Sequence, residues 1–201
     1  MILQVHHLAK TIGKKSILKD VSFTMNASSV YGITGENGSG KSTLLRIIIG
    51  EWKASSGSVT VNGRIGYCPQ QLLLFPHLTV EEHFRYFAAA YGLDAHTLAQ
   101  RSEELMQTFH FKKYQDEFVT NLSGGTQQKL NLSLALLHQP SLLILDEPYS
   151  GFDWDTYLRF WDYTQQMREA GCAILIVAHI LNEQKRLDTI LQLQQGTLTC
   201  Q

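Results

Sequence analysis

One stretch of the chain has the residue types and spacing that bind phosphate. Residues Gly35–Ser42 read GENGSGKS, which fits the pattern G-x-x-x-x-G-K-[ST]. Glycines let the backbone fold closely around phosphate with its N–H groups pointing inward, and a helix starting near Lys41 adds the positive end of its dipole. A lysine at this position reaches the β- and γ-phosphates, and the Ser42 hydroxyl can ligate Mg²⁺. The stretch predicts a site for a nucleoside triphosphate.

The residues on either side predict the strand–loop–helix setting that such a loop needs. Ser29–Thr34 is a short apolar run that predicts a buried strand, and Thr43–Ile49 predicts a helix closed by Gly50. A glycine-rich surface turn is the alternative interpretation. The setting argues against it.

The rest of the chain predicts strands at both ends and helices in the middle. Residues 1–34 show strand-like runs broken at Gly13 and Asn26, which predict an antiparallel sheet. Ser58–Val61 and Arg64–Cys68 flank Asn62–Gly63, a turn signal that predicts a hairpin. Residues from about 79 to 140 have helical periodicity, beginning with a capping pattern at 79–82.

Two later runs complete the predicted fold class. Leu142–Leu145 and Ala173–Val177 are continuously apolar, as in parallel strands that are covered on both faces. We therefore predict an α/β core with a helical insert at roughly residues 71–139, the whole of residues 1–201 forming one domain.

Composition and charge argue against some classes of function. The formal net charge is −1 and the basic residues are scattered, so we expect no nucleic-acid partner. The longest uninterrupted apolar run, Cys172–Ala178, is far shorter than the ~20 residues that span a bilayer. Met1–Leu8 alternates like a strand and does not look like a signal peptide. We expect a cytoplasmic location.

Further motifs follow the phosphate loop in a recognisable order. Leu122–Lys129 reads LSGGTQQK and Leu142–Pro148 reads LLILDEP, and together with the loop they resemble the ATP-binding cassette (ABC) ATPases. Tyr67–Gln70 resembles the glutamine loop of that family, Ser150–Asp153 its D-loop, and Ala178–His179 its switch histidine. The resemblance covers essentially the whole chain.

The resemblance implies a fold and a set of roles. The fold is a P-loop NTPase core with a mainly parallel sheet, an N-terminal antiparallel β subdomain and a helical insert. Asp146, at the end of an apolar strand, would anchor Mg²⁺ through its water shell. Glu147 would orient and polarise the attacking water as catalytic base, and His179 would contact the γ-phosphate. Gln70 would touch Mg²⁺ or the water and sense the nucleotide.

The LSGG element implies a second subunit. Ser123–Gly125 begins a helix, and backbone N–H groups at a helix N-terminus bind anions. Because the chain's own ATP would already occupy the Gly35–Ser42 loop, the family solution is that each LSGG element closes on the ATP of a partner in a C₂ dimer. The predicted catalytic residues are Glu147, His179 and Gln70; the predicted Mg²⁺ ligands are Ser42, Gln70 and Asp146; and the predicted ATP-binding residues are Gly35, Glu36, Asn37, Gly38, Ser39, Gly40, Lys41, Ser42, Thr43, Ser123, Gly124, Gly125 and Asp153.

The chain departs from the family pattern at the expected adenine site. An aromatic residue usually precedes the glycine of the first hairpin and stacks on the base, whereas this chain has Ile12 before Gly13. Ile12 provides an apolar face but no ring. Phe152 also replaces the usual leucine of the D-loop. Neither change falls on a residue expected to contact the phosphates.

The interpretation we favour is the ATPase subunit of an ABC transporter, whose partners are a second nucleotide-binding domain and a separate integral membrane permease. The permease would be contacted beside the glutamine loop, where Leu72–Pro76 either lines the groove or is buried in the helical part. The chain would then lie at the inner face of the cell membrane. Thr79–Phe84 with Tyr91–Leu93 faintly resembles exporter-type cassettes.

Two alternatives stay open. A soluble ABC ATPase, such as an iron–sulfur assembly component, would have similar length and motifs and would purify with soluble partners. A regulator that binds nucleotide without hydrolysing it is the other, and the presence of Glu147 and His179 argues against it.

Overall fold

The structure, a computed structural model, describes residues 1–178 and 183–200 and groups them in two compact units. The first unit is formed by Met1–Tyr67, Ser141–Glu147 and Met167–Gln201, and the second by Cys68–Pro140 and Pro148–Gln166. His179, the predicted switch histidine, lies outside the described residues. That the chain forms one domain stays a prediction.

The first unit contains two sheets. Its strands are β1 (Leu3–Ile12), β2 (Lys15–Met25), β3 (Val30–Thr34), β4 (Ser56–Val61), β5 (Ile65–Cys68, whose last residue is assigned to the second unit), β6 (Leu142–Asp146), β7 (Ala173–Val177), β8 (Thr189–Gln194) and β9 (Thr197–Cys200). β1 pairs antiparallel with both β2 and β4 in a three-stranded sheet. The antiparallel N-terminal sheet predicted from the sequence is confirmed.

The larger sheet positions the candidate site. Its strand order is β5-β6-β7-β3-β8-β9. β6 and β3 both run parallel to β7, with Asp146 and Ile33 each opposite Val177, and only the β8–β9 pair is antiparallel among the pairings described in register. Every residue of β6 and β7 is buried, as continuous apolar runs predict. The carboxyl ends of β3 and β6 therefore lie at one edge of the sheet.

The predicted hairpin around Asn62–Gly63 is wrong. β4 pairs with β1 in the smaller sheet, and β5 belongs to the larger sheet beside β6. The backbone N–H of Asn62 donates to Ile2 O at the end of β4, and the carbonyl of Arg64 then accepts from the backbone N–H groups of Ser141 and Leu142. The same turn residues therefore pass the chain from one sheet to the other, because each flanking strand pairs with a strand that is distant in sequence.

A continuous apolar core fills the first unit. Helix α1 (Lys41–Ile48) buries Leu44, Leu45, Ile47 and Ile48 in it. Residues from both sheets complete the core, among them Leu8, Ile144 and Val177. This packing fixes the helix that follows the phosphate loop, so that its first turn is held at the edge of the sheet.

The second unit is helical. It contains α2 (Val80–Tyr91), α3 (Ala95–Thr108), α4 (Gly124–Leu136) and most of α5 (Trp154–Glu169). The capping box predicted for α2 is present, since the Thr79 side chain accepts from Glu82 N and the Glu82 side chain accepts from Thr79 N. Among the helices described, none has the length and apolar character of a membrane span.

Candidate functional site

The phosphate loop connects β3 to α1, and at two of its glycines a side chain would meet a close neighbour. A Cβ atom on Gly35 would lie 2.3 Å from Leu193 O, and one on Gly40 would lie 2.8 Å from Leu18 Cδ2. Gly40 also has φ = 110° immediately before the first residue of α1, a conformation that L side chains rarely adopt. The loop has the strand–loop–helix setting predicted from the sequence.

Two side chains of the loop, those of Lys41 and Ser39, bear on phosphate binding. Lys41 Nζ donates to the carbonyls of Gly35 and Glu36 at 2.5 and 3.0 Å. The Ser39 hydroxyl is buried and has no hydrogen-bond partner among the described residues. Because a buried polar group is normally satisfied, the Ser39 hydroxyl and the Lys41 ammonium group are donors that would suit an anionic ligand such as phosphate.

Two adjacent carboxylates, Asp146 as the last residue of β6 and Glu147 directly after it, lie at the same edge of the sheet. Burial, and then the charge of Glu147, raise the pKa of Asp146 to about 6, while Lys41 acts in the opposite direction. The charge of Lys41 acts on Asp146, so the predicted phosphate-binding lysine and the predicted metal anchor lie within electrostatic range of each other. Within the first unit, the structure therefore brings these two predicted site residues together.

Glu147 has a feature that the sequence did not indicate. Its φ is +51°, in the left-handed region that is uncommon for residues other than glycine, and its backbone N–H donates to Val177 O at 2.8 Å. This strained backbone turns the chain out of β6 directly after Asp146. Such conformations cluster at functional sites.

Other predicted ligands lie at the beginning of α1. Ser42 is exposed and Thr43 is half-buried, both in the first turn of the helix. The helix has no acidic residue in this turn, so nothing there offsets the positive end of its dipole. Of the other loop residues, Asn37 and Gly38 are exposed.

The LSGG element begins helix α4 in the second unit, as predicted. The Ser123 side chain accepts from Thr126 N and caps the helix. A Cβ atom on Gly125 would lie 2.8 Å from Gly151 O, whereas one on Gly124 would meet nothing within 4 Å. The glycine at 125 is therefore required by its close approach to the D-loop.

Gln70 and Asp153 lie in loops of the second unit. Gln70 is exposed and follows β5 by two residues. Asp153 precedes α5, and its carboxylate accepts from Thr156 N at 2.7 Å. Hydrogen bonds from Thr156 and, more weakly, the charge of Lys129 lower the pKa of Asp153. The described contacts give Asp153 a capping role, and its predicted contact with nucleotide stays a prediction.

Two residues that contact these loops were not singled out from the sequence. Gln128 and Asn131 lie on α4, are buried, and donate hydrogen bonds to the carbonyls of Pro148 and Pro69. The available signal was weak: polar residues that alternate with leucine inside a predicted helix are more often solvent-exposed.

Comparisons with known proteins agree with these observations. A family model described as ABC transporter matches residues 18–150. The linearmycin resistance ATP-binding protein LnrL of Bacillus subtilis is 31% identical over 98% of this chain and 68% of its own length.

Solved structures are similar over nearly the whole chain. One described as the ATP-binding subunit of an ABC transporter has a TM-score of 0.94 and 29% identity, covering 98% of this chain and 88% of that one. A dimeric ATP-binding cassette with bound ADP and phosphate has a TM-score of 0.89, covers 98% of this chain and 96% of that one, and at 23% identity shows the fold alone. From its motifs, fold and relatives, this chain belongs to the ABC transporter family, as one of its ATP-binding and ATP-hydrolysing cassettes.

Proposed function

We propose that this chain drives a separate integral membrane permease by closing in pairs around two ATP·Mg²⁺ and reopening after hydrolysis. The observation that supports it most is the convergence of the phosphate loop, Lys41 and Asp146 at the carboxyl edge of the parallel sheet. In open α/β sheets this edge is where ligands bind.

In this proposal the Gly35–Thr43 segment holds the triphosphate. Backbone N–H groups at the start of α1 face the phosphates, and the Ser39 hydroxyl donates to a phosphate oxygen. Lys41 exchanges the carbonyls of Gly35 and Glu36 for the β- and γ-phosphates. Anionic oxygens are better acceptors for an ammonium group than neutral carbonyls, so the exchange favours binding.

The donor atoms nearby fit Mg²⁺. The metal prefers hard oxygen ligands, and the Ser42 hydroxyl and Asp146 carboxylate are of that kind. Burial and the charge of Glu147 disfavour the ionised form of Asp146, an imbalance that a nearby cation would correct. When bound, the ion would neutralise charge on the triphosphate. Gln70 is assigned to the same ion by its place in the glutamine loop.

Glu147 acts in this proposal as the base that orients the attacking water. Its left-handed backbone turns the chain out of β6 directly after Asp146. A carboxylate that accepts from the water aligns it and raises its nucleophilicity. The contact of His179 with the γ-phosphate is carried over from the family pattern.

The second half of each site comes from a partner copy. Ser123, Gly124 and Gly125 present backbone N–H groups at the capped beginning of α4, and Asp153 lies in the D-loop near Gly125. The similar cassette solved as a dimer supports this arrangement. We propose a head-to-tail pair of identical chains.

The permease would dock on the second unit, and the direction proposed is export. Leu73, Phe75, Tyr86 and Phe118 are large apolar side chains that are exposed there, whereas Leu72 and Leu74 are half-buried. Exposed apolar side chains in one region are typical of protein contacts. The similar LnrL is named for linearmycin resistance, which supports export from the cytoplasmic side.

Lys41→Ala tests the nucleotide site. Removal of the ammonium group that faces the phosphates should abolish tight binding of Mg·ATP in calorimetry and reduce hydrolysis to background. Lys113→Ala, which removes an exposed lysine of the second unit, should leave both unchanged. Equal ATP affinity in wild type and Lys41→Ala would contradict the proposal.

A further inference from the structure

Two buried amides on α4 make contacts that the proposed site does not use. Gln128 and Asn131 lie three residues apart on one face of the helix and are 4% and 6% exposed. A buried amide is costly unless its donors and acceptors are paired. Their neighbours along the helix, Leu130 and Leu132, are buried apolar residues. The two amides therefore serve particular acceptors.

Those acceptors adjoin two candidate catalytic residues. Asn131 Nδ2 donates to Pro69 O at 3.1 Å and to Cys68 Sγ at 3.3 Å. The Pro69 carbonyl belongs to the peptide that joins it to Gln70. Gln128 Nε2 donates to Pro148 O at 3.0 Å, and Pro148 directly follows Glu147. Helix α4 thus contacts the residue that precedes Gln70 and the residue that follows Glu147.

The same helix begins with the LSGG element. It runs for 13 residues from Gly124, with Ser123 as its cap, so its first turn and its two amides belong to one rigid rod. Its N-terminal end and the side chains that hold Pro69 and Pro148 are therefore parts of one element. Ser133, also buried on α4, instead donates within the helix to Lys129 O at 2.8 Å.

We propose that Gln128 and Asn131 are positioning residues for ATP hydrolysis: they tie the segments that contain Glu147 and Gln70 to the helix that begins at Ser123. This inference rests on the proposed function, because it gives these segments a catalytic purpose. It predicts that the amides affect turnover and leave nucleotide binding to the phosphate loop unaffected.

Four variants test the inference. Asn131→Asp and Gln128→Glu keep the shape and replace the donor by an oxygen that faces a carbonyl, while Asn131→Leu and Gln128→Leu remove the donor without adding charge. If the loss of a hydrogen bond displaces Glu147 or Gln70 by up to about 1 Å, kcat should fall about ten- to a hundred-fold. KM for Mg·ATP and the calorimetric affinity should stay within about two-fold, because Lys41 and its loop are unchanged.

Ser133→Ala is the matched control. It removes a buried hydrogen bond from the same helix without touching Pro69 or Pro148, so it should keep the wild-type kcat even where its unfolding temperature falls. If a leucine variant does not fold, Asn131→Ser, which retains a shorter donor, should give a kcat between those of wild type and Asn131→Asp.

Two results would overturn the inference. One is a wild-type kcat in the folded Asp and Glu variants, and the other is a kcat loss in Ser133→Ala equal to theirs. A wild-type protein that does not hydrolyse Mg·ATP would instead refute the proposed function, so the two failures are distinguishable.

Discussion

At the scale of single residues, two adjacent carboxylates have different surroundings and therefore different proposed roles. Asp146 and Glu147 are adjacent carboxylates, yet Asp146 ends a buried strand while Glu147 leaves it through a left-handed turn. Burial raises the pKa of Asp146, which favours a cation as its partner. The proposed metal ligand and the proposed base thus have different backbone conformations although they are adjacent in sequence.

Ile12 gives a prediction about the base of the nucleotide. It ends β1, is 46% exposed, and occupies the position where relatives are expected to have an aromatic ring. Wild type should therefore discriminate weakly between ATP and GTP, and Ile12→Tyr should tighten ATP binding by about 0.5–1.5 kcal/mol through stacking. Calorimetry with both nucleotides measures this. Ile12→Leu, without a ring, is the control, and equal affinities of the tyrosine and leucine variants would refute the prediction.

His83 gives a prediction about pH. Its imidazole is fully buried, with Nδ1 2.8 Å from Thr79 O and Nε2 accepting from Phe75 N at 2.9 Å. The carbonyl can only accept, so Nδ1 is the protonated nitrogen. Burial lowers the pKa of His83 below its usual 6.5, although Thr79 O and the charge of Glu82 partly oppose this shift.

The sign of the effect follows from linkage. Below pH 6.5 the unfolded chain takes up a proton at His83 that the folded chain resists, so stability is lost as the pH falls. The unfolding temperature of wild type should therefore fall more between pH 7.5 and pH 5 than that of His83→Gln, whose amide can still accept from Phe75 N. His96→Gln changes an exposed histidine and should behave as wild type. Identical pH profiles for wild type and His83→Gln would contradict the prediction.

At the scale of elements, helix α4 is unusual because polar and apolar residues are buried together along most of its length. Its first turn approaches the D-loop so closely that Gly125 has no room for a methyl group. Its later turns hold Pro148 and Pro69 through side-chain amides. Stability and activity should therefore respond differently to changes at different turns.

Gly125→Ala and Gly124→Ala form a matched pair on this element. The first places a Cβ atom 2.8 Å from Gly151 O and should destabilise the fold by about 1–3 kcal/mol. The second meets open space and should be neutral or slightly stabilising, because alanine is the better helix former. Urea unfolding of both variants measures the difference. Equal stabilities would show that α4 and the D-loop are not in close contact.

The elements also show what sequence can predict. The strand–loop–helix at Gly35–Ser42, the capped beginning of α2 and the start of a helix at Ser123–Gly125 are predicted from the sequence, because short local motifs indicate them. The hairpin at Asn62–Gly63 was predicted wrongly, since strand partners are chosen by distant residues. The contacts of Gln128 and Asn131 depend on tertiary packing, and nothing local in the sequence indicates them.

At the scale of the whole molecule, two properties of the chain require a partner in our proposal. The LSGG element begins a capped helix with no phosphate of its own assigned to it, and the phosphate loop supplies ligands from one side of the nucleotide. A head-to-tail pair satisfies both. ATP then becomes part of the interface, and hydrolysis removes it.

The molecular mass of the Glu147→Gln variant in the presence of Mg·ATP, measured by size-exclusion chromatography with light scattering, is the decisive test of the proposed pair. The amide keeps the shape of the side chain but loses its basicity, so turnover should stop while the closed dimer persists. Adding Ser123→Arg should return the protein to monomer, whereas adding Gln107→Arg, at an exposed site on α3, should not. We expect a dimer that forms with nucleotide and disappears without it. A Glu147→Gln variant that stays monomeric with Mg·ATP, or that hydrolyses Mg·ATP at the wild-type rate, would refute the proposed ATP-dependent pair.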